Sequence, residues 1–442
     1  MELETFECAD APSEIMSCMQ RYGNSGCVID SIQNGWARKP LGDVADVISG
    51  YAFKSSEFGD QGIPVIKIKN IRVGAVDLSD ADRIDEKYLA IPERYHVRAG
   101  DILISLTGSH ISQPNSVVGR VARHSTCLPT CLLNQRAGKV MVRDRTTCDL
   151  GFLFYALSEP ETMRAIAMLA HGAASQANVS PSQVESIEIP FPPLPVQRRI
   201  AGILSAYDEL IENSQRRIRN LEEMARALYR EWFVYFRFPG HENHPLGSST
   251  LGDIPQGWEV KKLKNVCHLT MGQSPKSEFY NDTGEGQPFH QGVTNFGERF
   301  PTDRLFCIVN GRIAEAGDIL FSVRAPVGRM NIADKKIIIG RGLSAIRHKE
   351  GHQAFLWEQL RNRFTKDDMI GNGAIFAAVT KDDMQGIELV CPPAPLVLAA
   401  TKNFEPIHSE LGALTKQIQN LRQTRDLLLP RLLSGQVKIE ER

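Results

Sequence analysis

Clusters of basic, amide and hydroxyl side chains recur along this chain of 442 residues, in three segments of each half. Arginine and lysine side chains can bond the major-groove edge of guanine, and asparagine and glutamine side chains can bond that of adenine. The pattern therefore predicts nucleic-acid contacts, although a half-exposed strand with solvated lysines would explain "IKIKN" at 66–70 equally well. The candidate contact residues are Lys67, Lys69, Asn70, Arg72, Ser109, His110, Gln113, Asn115, Asn134, Gln135, Arg136, His290, Gln291, Thr294, Asn295, Arg324, Arg329 and Arg341.

Signals for catalysis or metal binding are weak by comparison. The double prolines at 192–193 and 392–393 lack the flanking residues of a DNA methyltransferase motif, and no G-x-x-x-x-G-K-[ST] loop is present. His124, Cys127 and Cys131 do not have a standard zinc spacing, "HENH" at 241–244 fits a linker, and "DEK" at 85–87 fits a solvated turn. We therefore expect a binding and assembly protein with no catalytic residue, metal site or cofactor in this chain.

Composition narrows the class of protein further. Hydrophobic residues make up 42% and charged residues 23%, with a formal net charge of −1, so any nucleic-acid surface must come from local patches. Nine scattered cysteines and an acidic N-terminus predict reduced thiols in the cytoplasm and no secretory signal. The length predicts two to four domains.

The sequence pattern of a long helix occurs twice, 200 residues apart. "PPLPVQRRIAGIL" begins at Pro192 and "PPAPLVLAATKNF" at Pro392, and each leads into an apolar stripe with alternating steps of three and four. Such a stripe predicts two helices of about 40 residues, roughly 60 Å, packed on each other as an antiparallel coiled coil. Ser214 and Arg425 interrupt the stripe as seam-edge positions, and Pro430 predicts a kink or an early end. The seam residues are Leu204, Tyr207, Ile211, Ile218, Leu221, Leu228, Trp232, Phe404, Ile407, Leu411, Leu414, Ile418, Leu421 and Leu428.

The repeat extends beyond the helix. "AGDILISLTG" at Ala99 matches "AGDILFSVRAPVGR" at Ala316, with an insertion before "VVGRVA" in the first copy, and Trp36 opens a segment similar to that at Trp258. These matches predict an α+β fold with a pseudo-two-fold repeat. Two strand-rich globules of about 150–160 residues each, a common domain size, are separated by the long helices. The predicted boundaries are an N-terminal extension 1–35, a first domain 36–191, a first helical spacer 192–236, a linker 237–257, a second domain 258–391 and a second helical spacer 392–442.

The helix start, "GDILIS" and "NVSPSQVESIEIP" resemble the specificity subunit of a type I restriction–modification system. The resemblance covers nearly all of the chain from Trp36 onward. It implies that the globules are target-recognition domains, each binding half of a split, asymmetric double-stranded DNA site. It also implies two methyltransferase subunits and restriction motor–nuclease subunits as partners, which would hold S-adenosylmethionine, ATP and Mg²⁺.

Residues on the outer flanks of the helices are candidates for binding the methyltransferase partner. They are Ile200, Ile203, Leu210 and Met224. Two alternatives stay open: a non-catalytic protein-interaction scaffold with a helical docking platform, and the recognition part of a single-chain restriction–methylation enzyme.

Overall fold

The computed structural model describes residues 36–110, 112–113, 116–173, 176–364 and 379–437. The chain divides into two compact units, and each unit contains one strand-rich domain and part of each long helix. Unit 1 comprises Met1–Glu209 with Arg422–Arg442, and unit 2 comprises Leu210–Leu421. The predicted N-terminal extension and the candidate Asn115 lie outside the described residues.

The first domain is built on two five-stranded mixed sheets, ordered β2-β12-β8-β10-β5 and β3-β6-β4-β11-β7, with a third sheet β13-β14-β9 and the pair β1-β15. Its strands are β1 (Arg38–Pro40), β2 (Ala45–Ser49), β3 (Phe58–Gly59), β4 (Ile63–Ile66), β5 (Gly74–Ala75), β6 (Arg83–Ile84), β7 (His96–Val97), β8 (Ile102–Ser105), β9 (Thr107–Gly108), β10 (Val121–Arg123), β11 (Cys131–Leu133), β12 (Ala137–Val142), β13 (His171–Ala173), β14 (Gln176–Asn178) and β15 (Glu188–Pro190).

Strand β8 is buried on both faces. Successive side chains of a strand point to opposite faces. Ile102 and Ile104 accordingly belong to one apolar core, and Leu103 belongs to another. The apolar run "DILIS" therefore forms a central strand rather than a half-exposed one.

Helices pack against the core of this domain, and polar N-cap residues mark where two of them begin. The Asp149 carboxylate accepts a hydrogen bond from the Phe152 backbone N–H at 2.9 Å, and Ser180 forms a capping box with Gln183. The helices are α1 (Leu150–Ser158), α2 (Pro160–Met168) and α3 (Pro181–Glu185), followed by the first long helix, α4 (Leu194–Phe233).

The second domain follows a similar plan. Its sheets are ordered β19-β27-β24-β25 and β20-β22-β21-β26-β23, with the pairs β16-β17 and β18-β28. Its elements are β16 (Leu246–Ser249), β17 (Gly252–Pro255), β18 (Glu259–Lys262), α5 (Leu263–Val266), β19 (Cys267–Met271), β20 (Tyr280–Asn281), β21 (Gln287–His290), β22 (Phe306–Cys307), β23 (Ile313–Ala314), β24 (Ile319–Ser322), β25 (Met330–Ile332), β26 (Ile337–Ile339), β27 (Leu343–His348), α6 (Gln353–Phe364), α7 (Lys381–Gly386), β28 (Glu388–Cys391) and the second long helix, α8 (Ala394–Leu433).

Equivalent backbone hydrogen bonds occur within each of the two domains, and they confirm the predicted repeat. The Leu41 N–H donates to the Ile187 carbonyl at 2.8 Å, and the Leu263 N–H donates to the Ile387 carbonyl at 2.7 Å. The predicted insertion is also present, since the segment from Leu106 to Gly119 is eight residues longer than its counterpart from Val323 to Gly328. The framework is therefore common, and the inserted segment belongs to the first domain alone.

Each long helix has 40 residues, as the stripe predicts. In unit 1 the opening turns of α4, with Leu204, share a core with the closing turns of α8, with Leu432. In unit 2 the closing turns of α4, with Phe233, share a core with the opening turns of α8, with Phe404. Both pairings are antiparallel. In the part of the chain described, no helix is both long and apolar enough to cross a membrane.

Two expectations about helix ends and the linker need correction. Helix α8 continues three residues beyond Pro430, to Leu433, so this proline does not end it. The linker segment 237–257 contains the antiparallel hairpin β16-β17, and Phe238 and Ile254 are buried beside Trp258. Apolar residues within the Gly- and Pro-rich stretch attach it to the second domain.

Candidate nucleic-acid interface

Backbone hydrogen bonds bring three candidate segments of the second domain to one end of its sheets. The Val323 N–H donates to the Gly342 carbonyl at 3.0 Å, and the Gly342 N–H donates to the Gln291 carbonyl at 3.0 Å. Arg324, Gln291 and Arg341 lie beside these bonds, and all three side chains are exposed. The sequence groups "HQGVTN", "SVRAPVGR" and "GRG", which are far apart in the chain, therefore form one surface.

The first domain has the equivalent surface. The Leu106 N–H donates to the Arg136 carbonyl at 3.0 Å, and the Asn134 N–H donates to the Ile66 carbonyl at 3.0 Å. Gln135 and Arg136 are exposed at the turn between β11 and β12. The inserted segment begins next to this turn, so Ser109 and His110 lie in the same region as the candidates of "LLNQRAGK".

Glycines allow these strand ends to cross closely. A Cβ atom on Gly272 would lie 2.1 Å from the Gly340 carbonyl oxygen, and one on Gly342 would lie 2.5 Å from the Gln291 carbonyl oxygen. In the first domain, a Cβ atom on Gly50 would lie 2.3 Å from the Leu133 carbonyl oxygen. Side chains cannot be accommodated at such separations, which explains "GRG" around Arg341.

The cations of "IKIKNIR" are paired with carboxylates. Lys67 lies 2.9 Å from Asp82, Lys69 lies 3.3 Å from the same carboxylate, and Arg72 lies 3.6 Å from Asp77. The hydrogen bond from Lys67 lowers the pKa of Asp82, and hydrogen bonds from Ser79 lower the pKa of Asp77. This cluster is close to neutral, which disfavours it as the main phosphate-binding patch.

Two candidate contact residues are fully buried, and for them the prediction is wrong. Asn70 is fully buried; its side chain accepts from the Lys67 N–H at 2.9 Å and donates to the Asp77 carbonyl at 3.0 Å. His290 is also fully buried and lies 3.0 Å from Asp303. Burial lowers the pKa of His290. Both side chains are used in holding loops together, so neither can reach a base edge.

The other candidates differ in exposure. Asn134 is buried, and its side-chain oxygen accepts from the Arg136 N–H at 3.3 Å. The His110 ring lies 2.9 Å from the Ser112 hydroxyl. Exposed candidates are Lys69, Arg72, Gln113, Gln135, Arg136, Gln291, Thr294, Arg324, Arg329 and Arg341, and half-buried ones are Lys67, Ser109, His110 and Asn295.

One arginine that the sequence analysis missed occupies the position of a predicted one. The Arg120 N–H donates to the Ser105 hydroxyl at 3.2 Å, as the Arg329 N–H donates to the Ser322 hydroxyl at 2.8 Å. The signal was present in the repeated letters "VVGR" and "PVGR". Partial burial lowers the pKa of Arg120, and Arg72 contributes as a neighbouring cation.

A polar cluster joins the first domain to both long helices in unit 1. The Asp208 carboxylate of α4 accepts from the Tyr155 hydroxyl at 2.5 Å and from Arg425 of α8 at 2.6 Å. Arg123 lies 3.5 Å from the same carboxylate and 4.6 Å from the Phe154 ring centroid. The predicted stripe interruption Arg425 thus pairs with Asp208 of the other long helix, and the same carboxylate bonds Tyr155 of the first domain.

Unit 2 has a cluster of different composition at the matching place. The His408 ring of α8 lies 2.9 Å from the Glu358 carboxylate and 2.9 Å from the Arg299 guanidinium. Arg361 reaches Glu222 of α4 at 3.1 Å. Burial lowers the pKa of Arg299 to about 10 and also lowers the pKa of His408. Each domain is therefore attached to the helices by its own set of polar contacts.

The predicted helix faces need one correction. Ile200 is fully buried against the first domain, so it cannot bind a partner. Ile203 packs against the same core, Leu210 is half-buried, and Met224 is exposed. The closing turns of each long helix contact a domain as well as the other helix, so a different set of side chains is buried there. These side chains are Ala225, Tyr229 and Phe233 in α4 and Leu429, Leu432 and Leu433 in α8.

Most of the seam is buried to some degree. Ser214 is also buried, at 5% exposed. The buried seam residues are Leu204, Ile211, Phe404, Leu411, Leu414, Ile418 and Leu421, and the half-buried ones are Tyr207, Ile218, Leu221, Leu228, Trp232, Ile407 and Leu428.

The weak metal motif does not assemble. The buried Cys131 thiol lies 3.6 Å from the His124 ring, while Cys127 is exposed. Burial raises the pKa of Cys131 to about 12, which disfavours a thiolate ligand. Among the residues that the structure describes, no group of three or more His, Cys, Asp or Glu side chains could hold a metal ion.

A repeated domain that carries two different sets of exposed polar side chains on one frame is the architecture of a two-site binding protein. The family model for the type I restriction modification DNA specificity domain matches residues 33–223 and 255–396. The chain therefore belongs to the type I restriction–modification DNA specificity family. It is a specificity subunit, the class of subunit that recognises the DNA target.

Similar proteins extend over almost the whole chain. A Methanocaldococcus jannaschii protein described as the MjaX type I restriction enzyme specificity subunit is 29% identical over 93% of this chain and 96% of its own length. The MjaIX specificity subunit of the same organism is 24% identical, with the same coverage. The crystal structure of a type I restriction–modification S subunit from M. genitalium has a TM-score of 0.61 at 18% identity, over 91% of this chain and 97% of its own. That likeness supports the fold.

Proposed function

We propose that each domain of this specificity subunit reads one half of a split, asymmetric DNA target, and that the long helices set the spacing between the halves. The observation that carries the proposal is the shared backbone frame with different exposed side chains at its strand ends. Arg324, Gln291 and Arg341 occupy these ends in the second domain, and Gln135 and Arg136 occupy them in the first. Phosphate contacts would position each domain, and base-edge contacts would specify the sequence.

The same proposal assigns catalysis to partner subunits. Two methyltransferase subunits and restriction motor–nuclease subunits would assemble with this chain in the cytoplasm, and they would hold S-adenosylmethionine, ATP and Mg²⁺. The exposed Met224 on α4 supports a docking face on the helices, since this large apolar side chain is 59% exposed.

Sequencing of methylated bases in a host that carries the complete system, with and without this chain, tests the function. A bipartite motif that is methylated only when the chain is present is the expected result. Replacement of residues 40–190 by the equivalent domain of a relative should then change one half of the motif. A change in both halves, or in neither, would refute the assignment of one half-site to each domain.

A protein-interaction scaffold would behave differently. Its affinity for duplex DNA would be weak with or without methyltransferase subunits, whereas a reader that contacts phosphates has an affinity that falls steeply with salt. Binding of a duplex that contains the methylated motif, measured at several salt concentrations, distinguishes the two functions.

A further inference from the structure

One arginine is the same in both domains at equivalent positions. In each domain, a serine at the end of a central strand accepts from the arginine backbone N–H and from the glycine before it. The Gly119 N–H donates to the Ser105 carbonyl at 2.9 Å, and the Gly328 N–H donates to the Ser322 carbonyl at 3.1 Å. Arg120 and Arg329 follow these glycines, so the backbone places them identically.

The adjacent turn holds different residues at equivalent positions. It begins after Leu133 in β11 and after Ile339 in β26, whose carbonyls accept from the Tyr51 N–H at 2.7 Å and the Gln273 N–H at 3.0 Å. Three residues form the turn, and the next strand starts after them in both domains, at Ala137 and Leu343. The middle residue of the turn is Gln135 in the first domain and Arg341 in the second, and both are exposed.

We propose that the shared arginines, Arg120 and Arg329, contact DNA phosphates, and that the variable turn residues, Gln135 and Arg341, each read a base. The inference rests on the proposed function and deepens it. Phosphates are the same at every site, so a residue that holds them can be the same in both domains, whereas two different half-sites require different base-reading side chains.

The chemistry of the turn residues sets the bases. The Arg341 guanidinium matches the O6 and N7 acceptors of guanine, and the Gln135 amide matches the N6 donor and N7 acceptor of adenine. Neither side chain forms a hydrogen bond or ion pair within the described residues, so both are available. We therefore assign a guanine to the half-site of the second domain and an adenine to that of the first.

The charge distribution supports the role of the shared arginines. Arg329 is exposed, and Arg120 is half-buried with one guanidinium hydrogen bond, to the Ser116 carbonyl at 3.3 Å. No carboxylate of the described chain pairs with either arginine. They contrast with Lys67, Lys69 and Arg72, whose charges are compensated by aspartates of their own loop.

Selection from a library of random duplex DNA by the complex of this chain with its methyltransferase subunits tests the assignment. For Arg341→Gln, we expect one guanine in one half-site to lose its preference by roughly 5- to 150-fold, the value of a good bidentate contact. The other half-site should be unchanged. Gln135→Arg should alter one adenine in the opposite half-site.

For Arg329→Gln and Arg120→Gln, we expect weaker binding to every duplex, an unchanged motif, and a salt dependence reduced by about one phosphate contact. Lys264→Gln in α5, whose carbonyl bonds Lys349 after β27, and Arg145→Gln in the loop after β12 are charge-matched controls, and both side chains are exposed. They should change neither motif nor salt dependence.

Three results separate this inference from the proposed function. An unchanged motif with Arg341→Gln, or an altered motif with Arg329→Gln, would overturn the division between phosphate and base contacts while leaving a bipartite reader intact. Selection of no sequence by the unaltered complex would instead overturn the proposed function, and the inference with it.

Discussion

Removal of the Asp208 carboxylate should loosen the first domain from the long helices. In unit 1, this carboxylate accepts from Tyr155 at 2.5 Å and from Arg425 at 2.6 Å, and Arg123 lies 3.5 Å away. In Asp208→Ala, the Tyr155 hydroxyl loses its acceptor in a place where the residue is 3% exposed. The Arg123 and Arg425 guanidinium groups would also lose their shared anion, and Arg425 would keep only the exposed Asp426.

The magnitude follows from these contacts. An unsatisfied buried hydroxyl costs about 1–3 kcal/mol, and loss of one partner from a buried ion pair costs about 3–5 kcal/mol. The Asp208 side chain is 20% exposed and Arg425 is 30% exposed, so solvent screens the ionic part. We expect a loss of about 2 kcal/mol in local stability, which corresponds to roughly 30-fold faster exchange of protected amides.

Hydrogen exchange read by mass spectrometry suits a chain of two units, because it reports each segment separately. Peptides from α1 and from the closing turns of α8 should exchange faster in Asp208→Ala, while those of the second domain should not. Asp426→Ala is the matched control: its carboxylate lies 2.8 Å from the same Arg425, but it is 62% exposed. Equal exchange in the two variants would refute the role given to Asp208.

Three further predictions concern docking, spacing and pH. Met224→Glu should reduce co-purification of the methyltransferase subunits, and Met168→Glu, at an exposed site on the first domain, should not; equal recovery of both would contradict a docking face on α4. One heptad inserted after Leu221 and another after Leu421 should lengthen the preferred spacer by about three base pairs, since seven residues add ~10 Å; an unchanged spacer in a methylating variant would show that the helices do not set it. Burial beside His352 lowers the pKa of His348 to about 4. As pH falls, this histidine therefore takes up a proton in the unfolded chain before it does so in the folded one. The second domain should consequently lose stability as pH falls from about 6.5 towards 4. Melting temperatures at pH 7.5 and 5 should differ less for His348→Gln than for the unaltered chain, and an equal difference would refute this contribution.

The sequence by itself determined the repeat and the long helices. Periodicity is a local property, so the stripe through Leu204 and Phe404 predicts the long helices without knowledge of the fold. The candidate groups around Arg136, Arg324 and Arg341 were also recognisable, because exposed turns rich in arginine and amides have few structural uses.

Only the tertiary structure decided which polar side chains are free. Asn70 and His290 are polar like Gln135 and Arg341, but loops from elsewhere in the chain bury them and bond Asn70 to the Asp77 carbonyl and His290 to the Asp303 carboxylate. Asp77 and Asp82 neutralise "IKIKNIR" because the chain turns back on it, and Ile200 is covered by a domain that precedes it in sequence. Burial and charge pairing depend on contacts between distant segments, which a pattern of neighbouring residues does not contain.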